Sequence, residues 1–412
     1  MKNEIKLKLW LIKMKEKIYR NTLRLLSVFF NYINLARLKK RRKRIKVGFL
    51  VQENQKWNCD SLIETLNKNS NYEPFVIVTK LERQGISDYL ENINFFETRS
   101  INVIQGYNVN IGQANAISNI DVDIVFIQQP TGFIKGQKLF DILRKSLICY
   151  IPYGLMVANN NENHYNKVTN DILWRYYAPS KIIKELYLET NKNVKKDNIV
   201  VTGHPKLDFR FEKSKSSLKS NRRKKVIYAP HHSFEKNSLN YATFQWNGAF
   251  MLDFARENQD YEFVFKPHPR FIHAIIENEI MTKEECEQYY RAWDALDNAQ
   301  IYDQGDYFSI FESCDLMITD SGSFLAEFAV LNKPIIIPTN SESRGYNKFG
   351  ETINKTSTLV HSLEELNFEI DKILNFGDEH KESRKNMINE YFPLDRPSSE
   401  KIVDDLNRAI FE

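Results

Sequence analysis

At 412 residues and 48.7 kDa the chain is too long for one compact core and fits two domains of roughly 150–200 residues each. Its 42% hydrophobic and 13% aromatic content excludes a disordered chain, a collagen-like repeat and a disulfide-stapled miniature fold. The formal charge is +5, but residues 1–46 carry 16 Lys and Arg against Glu4 and Glu16, a local +14 that leaves −9 on the remainder.

That basic arm, residues 1–45, alternates apolar and charged positions at helical spacing: Trp10, Met14 and Ile18, then Leu25, Phe29, Phe30 and Ile33. It ends in Arg37-Leu38-Lys39-Lys40-Arg41-Arg42-Lys43-Arg44. Only 12 uncharged residues separate Arg24 from Arg37, well short of the ~20 that a spanning helix needs. The pattern predicts a basic amphipathic helix on an anionic membrane surface. The competing reading is a helix packed on the body with its basic face solvated. Nucleic-acid binding is not expected, since a basic run alone is only an electrostatic footprint. The chain opens without a secretory signal pattern, and its four cysteines (Cys59, Cys149, Cys286, Cys314) are scattered without metal-ligand spacing. The expected location is therefore the cytoplasmic face of the membrane, as a peripheral protein.

Past the arm, short runs rich in Val, Ile and Phe alternate with helix-length polar stretches. Strands are expected at 46–51, 74–79, 101–104, 122–128, 147–151 and 199–201, then at 225–229, 261–266, 316–319 and 334–338. Continuous rather than alternating apolar runs indicate parallel strands buried on both faces. The fold class is α/β: two doubly wound, Rossmann-like domains, 46–205 and 225–390, facing a central cleft. Residues 206–224, polar and rich in Lys, Arg and Ser, read as the linker, and 391–412 as a closing segment with a helix.

In open α/β sheets ligands bind outside the carboxyl ends of the strands, and four segments put chemistry there. Thr319-Asp320-Ser321-Gly322-Ser323 runs from a strand into a helical pattern, which places free backbone N–H groups and two hydroxyls together. That is an anion site suited to a diphosphate, with Gly322 allowing close approach. Plain N-capping by Asp320 or Ser321 is the bland alternative. Lys266-Pro267-His268-Pro269-Arg270 brings cationic and proton-carrying groups to another strand end, with His268 stiffened between prolines. Pro230-His231-His232 follows a third strand, and at most one of these histidines is expected to face the ligand. Gly203-His204-Pro205 ends the first half. No His or carboxylate spacing suits a metal, so a metal-independent site with no cofactor is expected. Asp121-Val122-Asp123 precedes its strand and so lies at the wrong end for catalysis.

In order, Tyr228-Ala229-Pro230, Lys266-Pro267-His268-Pro269, Cys314–Ser323 with Glu327-Phe328-Ala329, and Asp395-Arg396-Pro397-Ser398-Ser399-Glu400 resemble the CDP-glycerol glycerophosphotransferase family of teichoic-acid and capsule polymerases. The likeness covers residues 200–412 and, in layout, the first half. It implies a GT-B fold, with the nucleotide-activated donor on the second domain and a lipid-linked or growing glycan acceptor on the first. On that reading Ser321, Gly322 and Ser323 hold the donor phosphates, His268 assists at the pyrophosphate and Arg270 adds charge. A polyol phosphate passes from the CDP-activated donor to the acceptor, and CMP is released. The family's first-domain histidine, the proposed base, is replaced at Ile151-Pro152-Tyr153-Gly154-Leu155 by Tyr153. A tyrosine near its ordinary pKa of ~10 is a poor base, so His164 or a carboxylate such as Asp60 are alternatives. Asp320-Ser321-Gly322 with Glu327 also resembles UDP-N-acetylglucosamine 2-epimerases and UDP-sugar transferases. A non-enzymatic scaffold recruiting partners to the membrane is the third reading.

Overall fold

The computed structural model describes residues 2–41, 43–82, 84–211, 222–236, 238–303 and 307–412, with side chains from Trp10 and Met14 onward in the first helix. The chain divides into two compact units: residues 1–154, 161–211 and 393–412 form unit 1, and residues 155–160 and 212–392 form unit 2. Most of the expected linker, 212–221, lies outside the described residues, but its start is ordered as a 3-10 helix over Pro205–Phe211 within unit 1. The closing helix Ser398–Phe411 likewise belongs to unit 1 and buries Ile402, Val403, Leu406 and Ile410 there.

Unit 1 is built on seven strands: β1 (Ile45–Val51), β2 (Tyr72–Val78), β3 (Val103–Gln105), β4 (Ile124–Ile127), β5 (Leu147–Tyr150), β6 (Arg175–Ala178) and β7 (Ile199–Val201). All pair in parallel, in the order β3-β2-β1-β4-β5-β6-β7. Strand order therefore reverses between β1 and β4. Phe49 and Phe126 stack at 5.0 Å across that junction, with Trp57 and Tyr177 beside them. Burying each such ring contributes roughly 1.5–3 kcal/mol. The Asp121/Asp123 pair sits at the opposite end. Asp123 Oδ2 accepts from the Lys46 N–H at 2.9 Å and Asp121 pairs with the Lys46 ammonium at 3.0 Å, so both carboxylates pin the start of the sheet.

Unit 2 carries six strands: β8 (Lys225–Ala229), β9 (Glu262–Phe265), β10 (Ala299–Ile301), β11 (Leu316–Thr319), β12 (Ile335–Pro338) and β13 (Thr358–Val360). They are parallel in the order β10-β9-β8-β11-β12-β13, so the reversal falls between β8 and β11. Phe265 and Trp293 stack at 5.1 Å in its core. Three strands were not legible in advance. β10 and β13 are three-residue edges, and β6 is Arg-Tyr-Tyr-Ala, whose hydroxyls and guanidinium hide its apolar character.

Helix α1 (Lys2–Lys39) settles the arm's shape. One face packs on unit 1: Leu23, Ser27, Asn34 and Leu38 are buried, and the Asn34 amide donates to the Leu143 carbonyl at 3.0 Å. Arg20 forks onto Asp171 at 2.7 and 2.9 Å. Phe30 turns toward Phe140 at 6.3 Å. The outward face is apolar rather than basic: Trp10, Met14, Ile18, Leu25, Phe29 and Tyr32 are all exposed, Leu25 by 74%. No described helix is long and apolar enough to cross a membrane.

Candidate active site

The four strand-end segments separate into two groups. Three converge in unit 2, beyond the carboxyl ends of β8, β9 and β11. His204 belongs to unit 1.

In unit 2, Asp320 organises the loops. Its Oδ1 accepts from the His231 N–H at 2.6 Å, and its Oδ2 accepts from both the N–H and the hydroxyl of Thr243 at 2.7 Å. Burial pushes its carboxyl up to about 6, against the pull of those donors. Expected among the phosphate-binding residues, Asp320 is instead a buried bracket, with its acceptors already filled and a charge that repels phosphate. Thr319 is a second bracket, since its hydroxyl donates to the Ala229 carbonyl at 2.6 Å and accepts from the Ser321 N–H at 3.0 Å.

Beyond these brackets the helix Gly322–Ala329 begins, with Ser321 at its N-cap. The Ser321 side chain makes no cap hydrogen bond, so capping does not account for it. A methyl at Gly322 would meet Val157 at 3.3 Å and Tyr241 at 3.5 Å, which leaves the helix N-terminus lined closely by its neighbours. Glu327, one turn further on, is fully buried and accepts from the Tyr307 hydroxyl at 2.6 Å, a role inside the helix packing.

The imidazoles form one group, in which His231 is buried and His232 half-buried. His232 stacks on His268 with centroids 3.8 Å apart and planes 23° off parallel. His231 lies 4.4 Å from His232 and 5.5 Å from His268. His268 is pushed down to about 3, first by burial and then by His232, Arg270 and Lys266; His232 is pushed down to about 4 by burial and Arg270. All three rings are therefore neutral near pH 7. His268 Nδ1 accepts from the Arg270 N–H at 3.1 Å, so its ring proton sits on Nε2 as a donor. His268 is therefore placed as a neutral hydrogen-bond donor. His232 Nδ1 is buried with no partner among the described residues. The His268 N–H donates to the Pro230 carbonyl at 3.2 Å, which ties β8 to β9 at the site.

Arg270 is exposed. Lys266, expected at the phosphates, is buried with its ammonium over the rings of Tyr302, Tyr307 and Phe324 at 5.5, 4.9 and 5.6 Å. It supplies positive potential from within an aromatic surround rather than as a flexible ligand. Among the described residues no group of three His, Cys, Asp or Glu could hold a metal.

In unit 1, His204 is fully buried. Its Nδ1 accepts from the Lys206 N–H at 3.2 Å, so Nε2–H donates to the Pro152 carbonyl at 2.7 Å. Burial holds it down to about 4. It fixes the chain at 152–154, with both ring nitrogens used within the protein. Tyr153 is held there too: its N–H donates to the Gln128 carbonyl at 3.1 Å and its carbonyl accepts from Asn58 at 2.7 Å, while Gly154 beside it is buried. Burial, and then the nearby Glu53 charge, push the Tyr153 phenol up, which makes it a worse base than a free tyrosine. Of the alternatives, His164 is pushed down to about 4 by burial, which weakens it as a base, and Asp60 is an exposed carboxylate that accepts from the Trp57 indole at 2.8 Å. The sequence reading missed Gln52, Glu53, Lys56, Gln128 and Gln129, which follow β1 and β4 directly. The strand-end rule alone marks those positions.

A family model described as CDP-Glycerol:Poly(glycerophosphate) glycerophosphotransferase matches residues 153–408. A putative UDP-N-acetylglucosamine 2-epimerase of Clostridium acetobutylicum is 23% identical over 367 residues, 83% of this chain and 89% of its own. The teichoic acid ribitol-phosphate polymerase TarK of Staphylococcus aureus is 27% identical over 62% of this chain, which spans only 48% of that protein's length. Among solved structures, the wall teichoic acid polymerase TagF superposes with a TM-score of 0.59 at 12% identity, over 97% of this chain and 96% of the other. The UDP-GlcNAc 2-epimerase of Neisseria meningitidis gives 0.57 at 15%, over 89% and 100%. These structural likenesses show the fold, which is of the GT-B type. That family model spans residues 153–408, more than half of the chain, and the chain belongs to the CDP-glycerol:poly(glycerophosphate) glycerophosphotransferase family.

Proposed function

We propose that the chain transfers a polyol phosphate, of the glycerol phosphate or ribitol phosphate kind, from a CDP-activated donor to a growing cell-envelope polymer and releases CMP. The observation that carries this reading is the unit 2 site. A helix start with an uncommitted serine hydroxyl, three neutral imidazoles and an exposed Arg270 gather donors and positive potential where a diphosphate would lie. The amides at Gly322 and Ser323, the Ser321 hydroxyl and the His268 Nε2–H would hold the phosphates. Negative charge arriving there raises the imidazoles' proton affinity, so His268 can share charge with the leaving phosphate as the bond to CMP breaks. Incubation with CDP-glycerol or CDP-ribitol and a teichoic-acid primer tests it. CMP in step with polymer extension is the expected product, and a nucleoside diphosphate would point to sugar transfer.

The epimerase likeness over 89% of the Clostridium protein favours a second reading, a UDP-sugar enzyme on the same fold. The two part at the nucleotide and at the product.

Location belongs to the same proposal. The outward stripe Trp10–Tyr32 on α1 suits the interface of an anionic membrane, with rings and aliphatic chains in the acyl boundary and the exposed Lys39, Lys40 and Lys43 at the headgroups, while Arg37 and Arg41 face Asp123 of unit 1. An enzyme extending a lipid-linked polymer would be held beside its acceptor in this way.

A further inference from the structure

The three imidazoles of unit 2 are not equivalent, and the difference lies at their Nδ1 atoms. In His268 that atom accepts from the Arg270 N–H at 3.1 Å. In His231 it accepts from the Ser233 N–H at 3.2 Å and lies 2.7 Å from the Ser233 hydroxyl, which itself accepts from the Tyr241 N–H at 3.0 Å. A second proton on either ring would land on Nδ1 and displace a backbone N–H. Both rings are therefore held as neutral donors through Nε2. His232 carries no such lock. Neither of its nitrogens has a hydrogen-bond partner among the described residues, and its Nδ1 is buried besides. Whichever nitrogen holds the proton of the neutral ring, a second proton at the other displaces nothing.

His232 also lies where a charge on it would be felt. Its ring stacks on His268 with centroids 3.8 Å apart and planes 23° off parallel, and stands 4.4 Å from His231. A cation over the face of a neutral ring is attracted by that ring's electron cloud. It also draws density from the ring, which would make the His268 Nε2–H a stronger donor. Burial and Arg270 keep the proton off His232, holding it down to about 4, while burial, His232, Arg270 and Lys266 hold His268 down to about 3. Asp320, the carboxylate that reaches these loops, is spent on the His231 N–H and on Thr243. A diphosphate beside the cluster would reverse that balance, because nearby negative charge favours the protonated ring.

We propose that His232 is the proton-accepting member of the donor site: arrival of the nucleotide diphosphate loads one proton from water onto His232, and the imidazolium acts through the stacked His268 to tighten its hold on the phosphates. The inference deepens the donor-site reading of unit 2 and rests on it. Only one of the rings is charged, since all three lie within 5.5 Å of one another and a second charge would be repelled by the first. His232 is thus a positioning residue that works through His268. No covalent bond changes in this step.

CDP-glycerol suits the test, because neither of its phosphates gains or loses a proton near neutral pH and any proton taken up on binding goes to the protein. Calorimetric titration of the full-length protein at pH 6.5, in buffers of different ionisation enthalpy, counts those protons. Wild type should take up at least ~0.5 proton more per CDP-glycerol bound than His232→Gln does, a difference that cancels any proton gained by Asp320. Its affinity should weaken with rising pH, by up to ~10-fold per pH unit, and the dependence should be shallower in His232→Gln. A merely structural loss at His232 would instead lower affinity alike at every pH. Nitrogen-15 histidine spectra of wild type need no variant: one neutral ring should become an imidazolium on saturation with CDP-glycerol. Equal proton counts in wild type and His232→Gln, or wild-type binding with no histidine changing its charge, overturns the proposal and leaves the donor-site reading standing. Absence of CDP-glycerol binding to wild type overturns the donor-site reading itself.

Discussion

The two units use one topology to present opposite chemistries. Each is a parallel sheet whose strand order reverses once, and each gathers polar side chains at that reversal. In unit 2 these are donors: backbone amides at a helix start, a serine hydroxyl and neutral imidazoles near Arg270, where the proposed donor phosphates would lie. In unit 1 they are carboxamides and a carboxylate paired with Lys56. What the sheet supplies is a place. The side chains immediately after the strands decide what chemistry that place offers. Each unit also uses a buried carboxylate to fasten its loops: Asp320 holds three donors in unit 2, and Asp208 in unit 1 accepts from the Ser398 and Ser399 N–H groups at 2.6 and 2.9 Å and from the Ser61 hydroxyl at 3.0 Å.

Removing those brackets should give the largest effects. Asp320→Ala leaves three donors without an acceptor, at about 1–3 kcal/mol for each buried group, and should lower stability by at least ~3 kcal/mol in denaturant unfolding. Asp208→Ala likewise leaves three donors without an acceptor and frees the start of the closing helix, so a similar loss of at least ~3 kcal/mol is expected, and a loss under ~1 kcal/mol at either position would remove that carboxylate from the account.

Within the anion site, His268→Ala should reduce turnover at least ~100-fold, the scale of lost electrostatic stabilisation, with little change in unfolding. A loss below ~10-fold would return His268 to a structural turn and weaken the contrast between the units.

Acid should unfold both units through their histidines. His204 in unit 1 and His232 in unit 2 are held at about 4, and His268 at about 3, against ~6.5 in an unfolded chain. Between about pH 6.5 and 4 the unfolded state binds more protons at these sites, so stability falls as pH falls through that window. Asp320, raised to about 6, acts in the opposite sense, since between about 6 and 3.8 the folded state binds its proton more readily. Unfolding midpoints from pH 7 to 4 should therefore drop overall, and less steeply in His204→Gln. A flat profile would contradict the neutral, buried histidines.

The smallest expected effect on the folded protein comes from the outward face of α1. Replacing Trp10, Leu25 and Phe29 by Gln should leave thermal unfolding nearly unchanged and release the protein from phosphatidylserine vesicles. Retained binding would remove the membrane from the account.

Much of unit 2 was legible because its site is punctuated: Asp-Ser-Gly-Ser after an apolar run, and His between two prolines, announce a strand end in letters. Burial was not legible. Nothing in the sequence separates Asp320, with both oxygens filled, from Ser321, whose hydroxyl makes no cap bond, because that difference comes from Thr243 and His231 reaching back across the loops. Unit 1 was harder. Gln52-Glu53 and Gln128-Gln129 look like ordinary solvated residues, and only pairing β1 beside β4 makes them neighbours across 76 positions of chain. His204, a strand-end histidine by sequence, proved to be a fastener for the Pro152 carbonyl, since both of its ring nitrogens are used within the core.

The central claim, a cytidine-diphosphate donor site in unit 2, is tested most directly by thermal unfolding of the full chain with CDP, CMP, CDP-glycerol and UDP. A ligand at ~100 times its dissociation constant should add ~2.7 kcal/mol of stability, a readable shift. Stabilisation by CDP and CDP-glycerol, with little from UDP, is the predicted result. Selective stabilisation by UDP, or none by any of the four, would contradict it.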